Sequence, residues 1–133
     1  MAGFNSHLSA SKIDSRIWRI NLPLIYKSDL LRGEIIVPTG FCCDFESVDR
    51  LLLLGYVLFA HTADEAGVVH DYLYRADCKP CVSRAKADAI YREACLALGN
   101  TMFTAWAKWA GVRAAGWTAW KKKSVDWKPS LNA

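Results

Sequence analysis

Along the chain, the spacing of apolar positions changes from a period of two to a helical one. In residues 16–21, Ile17, Arg19 and Asn21 fall on one side and Trp18 and Ile20 on the other. Residues 24–27 and 34–37 are β-rich runs, and the turn-forming Ser28-Asp29 and Arg32-Gly33 lie between them. This pattern predicts a small antiparallel sheet over about residues 16–38, ended by Pro38 and Gly40. Residues 41–50 set four charged groups among aromatics and predict a charged loop, with a short apolar helix following up to Gly55.

The remainder is helical in period. Thr62-Ala63-Asp64-Glu65 is a capping box, because the Thr62 hydroxyl can accept the Glu65 amide while Glu65 reaches back. A first helix is therefore expected from near Ala63 to about Arg75. Ser83 can cap a second over residues 84–98, which Gly99-Asn100 ends. Its Ala87, Ile90, Tyr91, Ala94 and Leu98 recur at helical spacing and form one apolar face. A third helix follows Thr101, with Phe103, Trp106, Ala110, Arg113 and Trp117 on one stripe. Its other positions are mostly Ala and Gly, which let neighbouring backbone approach closely. The expected fold is α+β: a small antiparallel sheet, a charged loop, then three helices. Residues 1–14, polar and small, read as a flexible N-terminal arm, 15–123 as a single globular domain and 124–133 as a C-terminal tail.

Composition agrees with a single core. The chain has 133 residues, 53% hydrophobic and 23% charged, which suits a globular domain and excludes a disordered one. Six Trp and five Tyr imply a dense aromatic core, or a core plus an aromatic contact surface. The net charge of +4 is mild, and Lys121-Lys122-Lys123 with Lys128 reads as a solvated basic end, so no nucleic-acid partner is expected. The first residues lack the basic and apolar stretches of a secretory signal. The longest apolar run, residues 51–60, is ten residues, against the ~20 that span a bilayer. Residues 101–120 are long enough, but Lys108 and Arg113 interrupt them, so they read as an amphipathic helix. Five Cys, an odd count, argue for mostly free thiols in a reducing compartment. Cys78-Lys79-Pro80-Cys81 matches half a zinc site, a redox pair or a loop disulfide, with a structural or incidental role preferred.

The candidate chemistry lies on the first helix. His70 and Asp71 sit among Val68, Val69 and Leu73, and Tyr74 follows His70 by one turn. Unpaired polar groups in an apolar stretch are costly, so these need partners. The short linker to the second helix makes an antiparallel hairpin that can bring Asp88 to His70. A carboxylate on one imidazole nitrogen fixes the tautomer and raises basicity, so His70 would be a general base that Asp88 orients. Asp71, about 100° around the helix, would suit a hard cation, with Asp44 as a second oxygen ligand. The alternative is a structural junction tying the hairpin to the charged loop through Asp44, Ser47, Arg50, His70, Asp71 and Asp88, with Tyr74 and Tyr91 as core aromatics. This structural reading is preferred.

The motifs Gly40-Phe41-x-x-Asp44-Phe45-x-Ser47-Val48-x-Arg50, His70-Asp71-Tyr72-Leu73-Tyr74-Arg75 and Arg84-x-x-x-Asp88 resemble a family of small tailed-phage and prophage proteins, the domain of unknown function 1353. Leu24-Ile25-Tyr26-x-Ser28-Asp29-Leu30, Val37-Pro38-x-Gly40-Phe41 and a late helix ending in Gly116-Trp117 extend the resemblance to roughly residues 22–120. Asp49 departs from it, since the family usually has Pro there. The resemblance implies a phage or prophage origin and supplies no activity. Together with the aromatic third helix and the N-terminal arm, which suit assembly contacts, it leads to the expectation of a virion-associated structural protein, a small tail or head-completion component. Other phage structural proteins or a second copy would be its partners, the virion its location after synthesis in the host cytoplasm, and no cofactor is expected. A second, local resemblance is to phospholipase A2, in which an H-D-x-x-Y helix pairs with an Asp on the next antiparallel helix. It implies a hydrolase with His70 as base, Asp88 orienting it, Tyr74 supporting and Asp71 on a divalent cation such as calcium; the Trp-rich third helix with Lys121 to Lys123 would then touch a membrane surface. Residues 40–50 supply one Gly and a carboxylate in place of that family's Gly-rich calcium loop.

Overall fold

The computed structural model describes residues 1–13, 17–44, 64–115 and 120. Ser47, Arg50, the expected apolar helix before Gly55, the Thr62 cap, Trp117 and Lys121-Lys122-Lys123 lie outside the described residues, as does the side chain of Asp44. Among the described residues the fold is α+β. Six short strands, β1 (Gly3–Phe4), β2 (Ala10–Lys12), β3 (Ile17–Ile20), β4 (Leu24–Ser28), β5 (Gly33–Val37) and β6 (Cys42–Asp44), precede three helices, α1 (Asp64–Leu73), α2 (Arg84–Ala97) and α3 (Met102–Ala115).

The β4–β5 hairpin forms where alternation and turn residues place it. Arg32, at φ 59°, takes the left-handed turn position just before Gly33. The register pairs Leu24 with Val37 and Tyr26 with Ile35. Those four side chains share a buried face, while Lys27, Glu34 and Ile36 face solvent. Instead of one sheet there are two, ordered β1-β4-β5 and β2-β3-β6, each antiparallel throughout. Gly40, at φ 89°, turns the chain from one to the other.

The segment read as a flexible arm supplies two of these strands. Gly3 and Phe4 pair with Lys27 and Tyr26, and the Phe4 ring lies 4.7 Å from that of Tyr26. Its polar residues are also engaged: Ser6 Oγ accepts from the Ile25 amide at 2.8 Å and donates to the Pro23 carbonyl at 3.1 Å. Asn21 Nδ2 donates to Ser11 Oγ at 2.9 Å. Polarity that suggests a loose arm thus serves to fasten it.

The second helix begins and ends at its predicted caps, and a further cap opens the third. Ser83 Oγ accepts from the Lys86 amide at 3.1 Å, and Thr101 Oγ1 from the Thr104 amide at 3.1 Å. Gly99, at φ 92°, closes α2 in the left-handed conformation that a side chain disfavours. α2 packs against α1, α3 and β4. The core joins Ile20, Leu24, Tyr26, Ile35 and Val37 of the sheets to Val69, Leu73, Ala87, Ile90 and Ala94 of the helices. Among the described side chains of α3, only the small Ala105 and Val112 are buried. No described helix is long and apolar enough to cross a membrane.

Candidate functional site

The short α1–α2 connection makes a hairpin, and it puts His70 of α1 and Tyr74, the residue just after that helix, against Asp88 of α2. His70 Nε2 lies 2.7 Å from Asp88 Oδ1. The Tyr74 hydroxyl donates to the same oxygen. Arg113 of α3 donates through Nη1 to Oδ2 at 2.9 Å, and Arg84 Nε stands 3.9 Å from that oxygen. Arg84 also donates from Nη2 to the carbonyls of Val112 and Arg113, at 3.0 and 2.6 Å, and from Nε to the Tyr74 hydroxyl at 3.3 Å. The first turn of α2 is thereby fastened to the last turn of α3, where exposed carbonyls favour a cation. Three helices meet on one carboxylate.

Electrostatics follows from burial. Asp88 is 0% exposed and His70 8%. Burial pushes the Asp88 carboxyl up, but hydrogen bonds from His70, Tyr74 and Arg113 and the charge of His70 outweigh it, so it sits below its ordinary value. An ionised carboxylate only accepts, so Nε2 carries a proton, and when the ring is neutral Nδ1 holds the lone pair. Nδ1 has no hydrogen-bond partner among the described residues. The imidazole packs against Tyr74 and Tyr91, with centroids 4.2 and 4.8 Å away, and the Tyr74 ring meets Trp120 edge-on at 5.1 Å. The arrangement can orient an imidazole, and it can equally lock three helices.

The other residues read from the sequence fall elsewhere. Asp71 pairs with Arg75, Nη2 to Oδ2 at 3.0 Å, so a guanidinium occupies the side on which a cation would bind. Arg75 is itself buried, under the Phe41 ring at 5.9 Å. The Asp44 backbone pairs with Ile17 in β6. Among the described residues no three His, Cys, Asp or Glu converge on a metal-sized site. All five Cys are free thiols. Burial pushes Cys43 up and Cys95 up to about 11, which keeps them protonated and unreactive.

A second carboxylate, half-buried, escaped the sequence reading. Glu93 of α2 accepts through Oε1 from the Tyr26 hydroxyl at 2.7 Å and Ser28 Oγ at 2.8 Å, and through Oε2 from the Leu30 amide at 3.0 Å. The one signal for it was Tyr26 and Ser28, two polar side chains on the inward face of a strand.

Both tyrosines on these carboxylates resist ionisation. Burial and then the carboxylate partner raise Tyr26 and Tyr74 above the ordinary value of 10.0. A raised tyrosine stabilises the fold below the unfolded value, and the gain is lost as pH rises through the folded one. Tyrosinate absorbance should therefore show two of the five Tyr ionising only as the chain unfolds in alkali. Tyr26→Phe and Tyr74→Phe should each remove one late group. All five titrating together, with the fold intact, would contradict the burial of both hydroxyls.

The sequence pattern of the family described as Protein of unknown function (DUF1353) matches residues 18–112, and the chain belongs to that family. The match runs from β3 through most of α3 and so includes His70, Tyr74, Arg84 and Asp88. No curated protein and no solved structure matches the chain.

Proposed function

We propose that the chain is a phage-encoded, virion-associated structural protein, a small tail or head-completion component, in which the Asp88 junction fastens the helices. The observation that carries this is the state of Asp88: fully buried, with both oxygens taken by donors from α1 and α3. A satisfied buried network of this kind rigidifies and specifies an arrangement. The phage association rests on the likeness of the Gly40–Arg50 and His70–Arg75 motifs to tailed-phage proteins. Its partners are other phage structural proteins, and its location is the virion after synthesis in the host cytoplasm. Mass spectrometry of purified virions from a phage encoding the chain should find it at a fixed copy number. Its presence only in infected-cell cytoplasm would remove this reading.

One observation favours a second reading, a hydrolase acting on phospholipid or another envelope ester or amide. With Nε2 held by Asp88 at 2.7 Å, the Nδ1 lone pair is the atom that would take a proton from attacking water. Tyr74 would steady the same carboxylate. If that reading holds, wild-type protein releases fatty acid from phospholipid vesicles, and His70→Gln lowers the rate by about 10²-fold or more. On the structural reading neither protein releases any, and His70→Gln changes only stability, by about 1–2 kcal/mol.

A further inference from the structure

The side chains of α3 are arranged against the usual sense of a packed helix. Among its described side chains the buried ones are the small Ala105 and Val112, while Met102, Phe103 and Trp106 are 62%, 77% and 45% exposed. The spacing of these three puts them together on one end of the helix. α3 contains no Asp or Glu and carries Lys108 and Arg113. Arg92 of α2 lies alongside, its guanidinium 4.0 Å above the Trp106 ring and 5.3 Å from that of Trp109. The two indoles meet edge-on at 5.1 Å. Exposure thus falls from the apolar tip of Phe103 and Met102 to Trp106, whose ring covers the Arg92 guanidinium.

We propose that this end of α3, with Met102, Phe103 and Trp106 at its crest and Arg92 at its flank, docks on an anionic phospholipid bilayer. Each of these groups matches one depth of a membrane surface. Flexible Met and Phe side chains enter the acyl boundary, Trp sits at headgroup level, and the Arg92 guanidinium meets lipid phosphates. The contact is interfacial, since α3 packs along α2 and only its outer side is available. Charge decides between occupants. A helix without acids, in a chain of net charge +4, is repelled by a second copy and attracted by an anionic surface.

The test is cosedimentation of the full chain with phosphatidylcholine vesicles, with and without phosphatidylglycerol, together with tryptophan emission. Binding is expected to the acidic vesicles, with a blue shift, and to weaken as salt rises. Phe103→Asp and Met102→Asp should each lower partitioning about tenfold or more with unchanged circular dichroism, and Phe103→Leu should restore it. Failure to pellet with acidic vesicles, equal binding to neutral ones, or undiminished binding by Phe103→Asp would overturn the proposal. So would self-association that Phe103→Asp abolishes in the absence of lipid binding. Because vesicle binding is read on the isolated chain, it stands or falls separately from the virion reading.

Discussion

Replacing Asp88 with Ala is expected to destabilise the fold by about 3–5 kcal/mol, the cost of stripping one partner from a buried ionic cluster. The carboxylate has no exposed surface, so water does not take its place. His70 Nε2, the Tyr74 hydroxyl and Arg113 Nη1 would all lose their acceptor. Arg84 would then face Arg113 with the intervening negative charge gone. Asp88→Asn should cost less but still destabilise, because an amide has one accepting atom and its NH2 meets a donor whichever way it is placed. Urea denaturation measures both, with the m-value expected to stay constant. A loss under about 1 kcal/mol for Asp88→Ala would mean that the helices are held by apolar packing alone.

The same residue gives the acid limb of the stability profile its sign. Its folded carboxyl lies below the unfolded value of 3.8. Its contribution is therefore complete above about pH 4 and is lost as pH falls through the folded pKa. Wild type should lose stability in acid more steeply than Asp88→Asn, and the two curves should converge at the lowest pH. Parallel curves would assign the acid sensitivity to other carboxylates.

How much of this could be read beforehand depended on sequence distance. The β4–β5 hairpin and the α2 caps were legible because their signals are local: alternating residues, Arg32-Gly33, Ser83 and Gly99. The approach of His70 to Asp88 was legible for a related reason, since a short linker leaves a helix hairpin few other options. β1 and β6 were not, because each pairs with a strand distant in the chain and neither alternates. The two arginines at Asp88 were missed for different reasons. Arg84 entered only as part of the Arg84-x-x-x-Asp88 motif, because its contacts reach the end of α3, far along the chain. Arg113 shared a stripe with Phe103 and Trp106, and only the packing of α3 on α2 turns it towards Asp88. That packing also settles the fate of the stripe: Ala105 lets the two backbones approach, so the bulky Phe103 and Trp106 stay outside.

Glu93→Ala is the second large effect, about 2–4 kcal/mol. The residue looks like a surface carboxylate in the sequence, yet it is the point at which α2 is fastened to the β4–β5 hairpin. Hydrogen bonds to a charged acceptor are worth about 1.5–3 kcal/mol each, and three donors converge on it. They do not lose equally. Tyr26 and Ser28 are 0% and 1% exposed, so their hydroxyls would be left buried and unpaired. The Leu30 amide lies at the exposed turn, where water substitutes. The upper end of the range therefore applies only if the turn holds its shape, and amide exchange at Leu30 and Leu31 tests that directly, since Ser28 Oγ also accepts from the Leu31 amide at 3.1 Å. Both amides should exchange faster in Glu93→Ala, while those of α1 stay as protected relative to global stability. Tyr26 should also ionise at lower pH in the variant, still held above its ordinary value by burial but no longer by the carboxylate beside it. Glu93→Gln should fall between, because its amide oxygen can still accept from Tyr26 and Ser28 while its NH2 opposes the Leu30 donor. A Glu93→Ala protein as stable as wild type would show that the hairpin is held to α2 by the packing of Leu24, Ile35 and Ile90 without help from this carboxylate.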